Sequence, residues 1–294
     1  MLSYSKIVRR CLAFAVTVLG SAVFSLHAER RVITLHEGWE FTKGSPDAKA
    51  KWNKVRVPHD WAIYGPFDRN NDLQTVAVEQ NGENAETVKT GRTGGLPFIG
   101  KGTYRTTIEV PDTANRNITV VFDGAMSNAH VKVNGREVAF WPYGYNSFYT
   151  DISDVVRPGS NEMVVELENF ERASRWYPGA GIYRNVHVVN TDRIHIPVWG
   201  TYITTPMVSA DNASVRLEMS IDGCRKGEKI DVITDIVSPD GITVSSNKAV
   251  YVAHGQKFFQ NFIVDRPMLW SPESPSVYTA KTRLLADGRE VDTS

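Results

Sequence analysis

The sequence predicts an all-β fold built of two consecutive β-rich blocks, sandwiches or barrels in type. Three observations carry this expectation. Apolar residues recur with period 2 rather than 3.6 along nearly every patterned stretch. The stretches are short and punctuated by Gly, Pro and Asn, as in sandwiches and barrels. No window longer than about ten residues has the apolar stripe of an amphipathic helix. Two β-rich blocks, residues 29–192 and 196–294, meet near residues 190–197. The first is large for an immunoglobulin-like sandwich and suits a jelly roll with long loops. The second has the size of a seven-stranded sandwich.

Taken in order, the chain begins with Lys6, Arg9 and Arg10, no acid, and a largely apolar run over residues 11–26. That run falls short of the ~20 apolar residues of a membrane span. Residues 1–28 are therefore expected to be a signal peptide cut after Ala28, with an uncleaved anchor as the alternative. The protein is expected to be exported, to the periplasm, the cell surface or the medium, with no stable membrane span. Residues 104–110 alternate from Tyr104 through Thr106 and Ile108 to Val110, and Pro111 stops them. Residues 117–124 place Ile118, Val120 and Phe122 on one face. Ala129, Val131 and Val133 alternate with His130 and Lys132, and Asn134-Gly135 supplies a two-residue hairpin turn. Met163, Val165 and Leu167 alternate with Glu162, Glu166 and Glu168. The second block repeats the habit over residues 215–221, 230–237, 248–253, 257–264 and 276–285, with Asp287-Gly288 as a turn. Within the first block, residues 63–101 are polar and rich in Asn, Glu and Gly. A loop that long is uncommon in a compact domain and is expected to be functional or mobile.

Composition narrows the function classes. Lys+Arg and Asp+Glu number 33 each, and without residues 1–28 the acids exceed the bases by three. That balance argues against a nucleic-acid surface, which needs clustered positive charge. There are two cysteines, Cys11 in the export segment and Cys224. Neither an internal disulfide nor a cysteine metal site is expected, and Cys224 is read as an inert thiol. Beyond residues 1–28, six scattered histidines (36, 59, 130, 187, 195 and 254) lack ligand spacing, so no metal and no cofactor is expected. Residues 91–103 approach a phosphate-binding loop, with Gly95, Gly100 and Lys101. The following Gly102 and the strand beyond it exclude nucleotide binding. Glu166 and Glu168 share one face of one strand and cannot flank a sugar, so they are read as a solvated face.

Three aromatic clusters are more informative: Trp61-Ala62-Ile63-Tyr64, Trp141-Pro142-Tyr143-Gly144-Tyr145 and Arg175-Trp176-Tyr177-Pro178. Rings on loops with Asp, Asn and Arg nearby suit carbohydrate, because apolar sugar faces stack while hydroxyls seek polar partners. For any single ring, packing over the sandwich end is at least as good a reading.

An ordered set of short motifs resembles the N-terminal part of glycoside hydrolase family 2, the β-galactosidase, β-glucuronidase and β-mannosidase group. The set runs Val57-Pro58-His59-Asp60-Trp61, Gly102-Thr103-Tyr104-Arg105, Phe122-Asp123-Gly124, Val133-Asn134-Gly135 and Gly159-Ser160-Asn161. It continues with residues 175–184 (RWYPGAGIYR) and 269–275 (LWSPESP). The resemblance implies a jelly-roll, galactose-binding-like sugar-binding domain and then an immunoglobulin-like sandwich, here expected to lack its last strand. In the family a (β/α)₈ barrel follows, carrying the acid/base and nucleophilic glutamates of a retaining mechanism. With Ser294 as the last residue, this chain is expected to contain neither, and to be inactive alone. By the same resemblance, Arg175, Trp176 and Tyr177, with Asp60 and Trp61, are expected to border the sugar. Ser174 and Arg175 stand where an acidic residue would aid galactose and sodium binding, and Ile99 where an asparagine is expected. Arg184 is expected to pair at the domain seam.

The sequence therefore predicts the non-catalytic portion of an exported β-galactosidase-like hydrolase. Its partners would be carbohydrate and a catalytic barrel segment, and its oligomeric state is open. The alternatives are a stand-alone carbohydrate-binding module and a non-enzymatic interaction protein.

Overall fold

The computed structural model describes residues 30–47, 49–71, 73–89, 98–171 and 179–294. Its regular structure is almost wholly antiparallel strand. The first unit contains β1 (Arg31–Thr34), β2 (Trp39–Lys43), β3 (Asn53–Val55), β4 (Gln74–Val76), β5 (Thr87–Lys89) and β6 (Gly100–Val110). It continues with β7 (Arg116–Phe122), β8 (Ala129–Val133), β9 (Arg136–Trp141), β10 (Phe148–Asp151), β11 (Gly159–Asn169) and β12 (Val186–Asp192). A four-stranded sheet, β1-β12-β7-β10, and a six-stranded sheet, β3-β2-β6-β11-β8-β9, enclose one core.

The period-2 pattern explains which side chains fill that core. Ala129, Val131 and Val133 of β8, Met163, Val165 and Leu167 of β11, and Ile118, Val120 and Phe122 of β7 are all buried. Each large apolar side chain removed from water contributes about 1.5–3 kcal/mol. The β8–β9 hairpin turns at Asn134 (φ 50°) and Gly135 (φ 80°), the left-handed pair that matches strand twist. Asn134 Nδ2 also donates to Asn161 Oδ1 at 2.8 Å. Buried Asn161 donates in turn to the carbonyls of Arg157 and Gly159. Asn161 of the Gly-Ser-Asn motif is thus a buried polar residue with its amide fully bonded.

The long polar stretch over residues 63–101 holds some regular structure. The described part holds a 3₁₀ turn (Trp61–Tyr64), a second 3₁₀ turn (Glu79–Asn81) and the separate β4–β5 ribbon. Strands of three residues carry too little alternation to register in a sequence.

The second unit has seven strands: β13 (Thr201–Val208), β14 (Asn212–Met219), β15 (Lys229–Val237), β16 (Thr243–Val252), β17 (Phe258–Asp265), β18 (Thr279–Ala286) and β19 (Arg289–Thr293). They form sheets β13-β14-β17 and β16-β15-β18-β19 around Leu217, Met219, Ile230, Val232, Phe262 and Leu284. This is the three-plus-four arrangement of an immunoglobulin-like sandwich. Asp287 (φ 50°) and Gly288 turn β18 into β19. The two units are stitched by Arg30–Asp292, Arg193–Glu228 and Arg289–Asp192. Arg184 is not among these seam pairs, contrary to expectation. It lies over the Tyr183 ring and donates to the Asp123 carbonyl, inside the first unit. Among the described residues, no helix is long and apolar enough to cross a membrane.

Candidate functional site

The motif segments around Asp60 and Gly181, far apart in sequence, meet at one end of the first sandwich. Asp60 is the junction. Its Oδ1 accepts from Ala62 N at 2.9 Å, capping the 3₁₀ turn, and from Ala180 N at 2.9 Å. An aspartate in extended conformation before a tight turn is the residue type that satisfies such exposed amides. Gly179 fits beside it at φ +73°, where a Cβ would stand 3.1 Å from Asp60 Oδ2. Asn169, the last residue of β11, donates to the Gly179 carbonyl at 3.1 Å. His59 N donates to the Ile182 carbonyl at 2.7 Å.

Below this junction lies an aromatic floor. Phe41 stacks on Trp61 with centroids 5.5 Å apart and meets Tyr104 at 4.8 Å. The Tyr104 hydroxyl and His59 Nδ1 lie 2.7 Å apart. Burial pushes the Tyr104 phenol well above its ordinary pKa and pulls the His59 imidazole down, although Asp60 opposes the latter. Both groups are therefore neutral hydrogen-bonding partners at neutral pH, not a charged pair. The glycines of the neighbouring motifs answer to this floor. A Cβ at Gly102 would lie 2.4 Å from Trp61 Cζ3, and one at Gly181 would lie 2.4 Å from the Tyr104 hydroxyl.

Trp61, expected to offer its ring to a sugar, is 1% exposed and fills the floor. Its faces are used by protein, so its part at this end is packing. Its Nε1 has no hydrogen-bond partner among the described residues. Asp60 is half-buried and stands at the junction, as a loop polar residue would. Arg175, Trp176 and Tyr177 lie outside the described residues, as do Ser174 and the glycines of residues 91–95. The tyrosines of the middle aromatic cluster, Tyr143 and Tyr145, are exposed on the loop after β9. His59 and Tyr104 were not singled out as site residues in the sequence, because nothing local shows that the two segments meet.

Glu166 and Glu168 face outward and pair with Lys132 (2.8 Å) and Lys101 (3.8 Å). Two concavities lie away from the junction. One, about 340 Å³, sits at the seam beside Arg30, His187 and Trp199. Another, about 330 Å³, is an apolar groove in the second unit beside Val208, Val264 and Trp270. Neither is lined by an acidic side chain. No group of three or more His, Cys, Asp or Glu suited to a metal ion occurs among the described residues.

The fold has counterparts among known proteins. The profile of "Glycosyl hydrolases family 2, sugar binding domain" matches residues 35–192, and that of "Glycosyl hydrolases family 2" matches residues 194–294. A Formosa agariphila protein, provisionally named a beta-glucuronidase, is 32% identical over 95% of this chain and 26% of its own length. Beta-galactosidase BoGH2A of Bacteroides ovatus is 30% identical over 91% of this chain and 31% of its own. The crystal structure of a glycosyl hydrolase family 2 member from Bacteroides cellulosilyticus superposes with a TM-score of 0.77 at 30% identity. It covers 90% of this chain and 34% of that one. The chain thus spans about a quarter to a third of the length of these relatives. With the sugar-binding profile alone matching more than half of its residues, the chain belongs to glycosyl hydrolase family 2.

Proposed function

We propose that these 294 residues are the non-catalytic β portion of an exported β-galactosidase- or β-glucuronidase-like hydrolase, one that holds and borders the substrate site. The acid/base and nucleophilic glutamates would belong to polypeptide outside them, in a barrel segment that this portion docks against. The observation that carries the reading is the junction at Asp60. There the family's two motif segments are fixed to each other at one sandwich end, over a rigid aromatic floor. Sites are built this way, with a loop positioned by a preorganised shell.

Retention needs two carboxyl groups about 5–5.5 Å apart across the sugar. The acids near the junction are otherwise engaged, Asp60 with backbone amides and Glu166 and Glu168 with lysines. Electrostatic positioning without that carboxylate pair does not cleave a glycosidic bond. On this reading Asp60 and residues 175–177 shape the subsite, with Trp61 supporting from beneath. Residues 1–28 direct export.

The purified chain tests the proposal on 4-nitrophenyl β-galactoside and β-glucuronide. No turnover above buffer is expected, and activity should appear when a family barrel is co-expressed and co-purifies. Turnover by the chain alone that a point substitution within it abolishes would overturn the assignment.

A further inference from the structure

We propose that Tyr143, Tyr145 and Arg184 form a separate carbohydrate contact that takes a uronate-bearing oligosaccharide. It deepens the sugar-directed reading above and rests on it.

Tyr143 and Tyr145 flank Gly144 on the loop after β9. They are 57% and 40% exposed, with centroids 5.5 Å apart and ring planes inclined by 59°. Two large rings held side by side in water are a feature that calls for a ligand. The loop that carries them is fixed. A Cβ at Gly144 would lie 2.3 Å from Met126 Sδ, so the backbone sits directly on that side chain. The Gly144 carbonyl accepts from the Tyr183 hydroxyl at 2.8 Å, and Trp141 Nε1 donates to Asn146 Oδ1 at 3.0 Å. Met126 in turn exchanges two backbone hydrogen bonds with Gly181, at 2.9 and 3.0 Å. The rings are thereby tied to the same sandwich end as the Asp60 junction. Rings held in place before a ligand arrives lose little entropy on binding.

The chemistry of the patch selects the ligand. The tilted rings offer two apolar walls to the C–H faces of pyranose units, and their hydroxyls reach for sugar oxygens. Arg184 supplies the charge. Its guanidinium lies 5.3 Å from the Tyr183 ring centroid and, among the described residues, makes a long 3.5 Å contact to the Asp123 carbonyl. The Asp123 carboxylate is 3.1 Å from His187 Nε2, and no ion pair to Arg184 occurs among the described residues. Arg184, Tyr145 and Tyr143 all lie near enough to Tyr183 to act on its phenol. A guanidinium in this position is free to grip a carboxylate through two parallel N–H groups. A neutral glycan would use the rings alone, whereas a uronate uses rings and cation together.

Calorimetric titration of the purified chain with trigalacturonate and with galactotriose tests this. Trigalacturonate should bind about tenfold more tightly than the neutral trisaccharide, and Y143A or Y145A should each weaken it by about the same factor. R184Q should bring the charged ligand down to the neutral level and leave galactotriose unchanged. Added salt should weaken only the charged ligand. All three side chains are on the surface, so the unfolding midpoint should not move. Absence of binding, equal binding of the two sugars, or indifference to both tyrosine substitutions would overturn the proposal. Binding that survives Y143A and Y145A but is lost in folded D60N would remove this contact and leave the proposed function standing.

Discussion

Arg30 and Asp292, 262 residues apart, form a two-point ion pair: Nε meets Oδ1 at 3.0 Å and the terminal nitrogen meets Oδ2 at 2.8 Å. The Asp292 side chain is fully buried, and its Oδ2 also accepts from Ile196 N at 2.8 Å. The pair joins the residue before β1 to the last strand and to the segment linking the two sandwiches. Breaking a buried pair by removing one partner strands the other charge and costs about 3–5 kcal/mol. R30M should therefore lower unfolding stability by roughly 3 kcal/mol in urea titrations. R30M/D292L should cost much less than the sum of the two single substitutions, because neither charge is left alone. Additive losses would show that the pair is not coupled.

Gly102 lies against Trp61, and the contact leaves no room for a methyl group. The nearest atoms to a Cβ there are Trp61 Cζ3 at 2.4 Å and Phe41 Cε2 at 2.8 Å, both on rings locked in the core. G102A should destabilise by about 1–3 kcal/mol, the usual cost of overpacking. W61L opens space at its own cost of about 2–4 kcal/mol. In the double variant the methyl group occupies part of that space, so the losses should be clearly less than additive. Equilibrium unfolding of the four proteins measures this.

These two contacts also mark the limit of what the sequence discloses. β8 and its turn are legible because alternation and Asn134-Gly135 are local signals, and the structure places β8 at the same five residues. β2 and β13 escape the period-2 reading. β2 buries adjacent residues, Phe41 and Thr42, so its pattern does not alternate, and β13 is an edge strand exposed on most positions. The polar junction residue, Asp60, is visible as a loop carboxylate beside an aromatic run. The fate of Trp61 is not, because its burial depends on a glycine forty-one positions away and on Phe41 of another strand. The exposure of Tyr143 and Tyr145 is likewise set by the surrounding fold and reported by no local pattern.

His59 gives the fold a pH dependence of known sign. Burial is the main cause that lowers its pKa below 6.5, so the folded protein holds it neutral where the unfolded chain would already protonate it. Stability from this group is complete above about pH 6.5 and declines as pH falls toward the depressed folded value. Urea midpoints should drop between pH 7.5 and pH 5.5, and H59Q, which keeps a polar partner for the Tyr104 hydroxyl, should lose that part of the slope. An identical slope in H59Q would assign the dependence to other groups.

Cys224 should behave as a reluctant thiol although it is not fully enclosed. Burial, then Glu228, pushes its pKa from 9.0 up to about 11, and Arg193 only partly opposes them. The thiolate is the reacting species, so its fraction at pH 8 is about a hundredfold lower than in a group of pKa 9. Iodoacetamide should modify the native protein far more slowly than the urea-unfolded chain at pH 8. The native rate should keep rising through pH 10 instead of levelling near 9. The linkage runs in the same direction. The group favours the folded state fully below about pH 9, and that contribution disappears as pH rises through about 11. C224S should flatten this alkaline portion of the stability curve. E228Q should bring the alkylation profile to lower pH, because the carboxylate beside the thiol is one of the causes holding its proton in place.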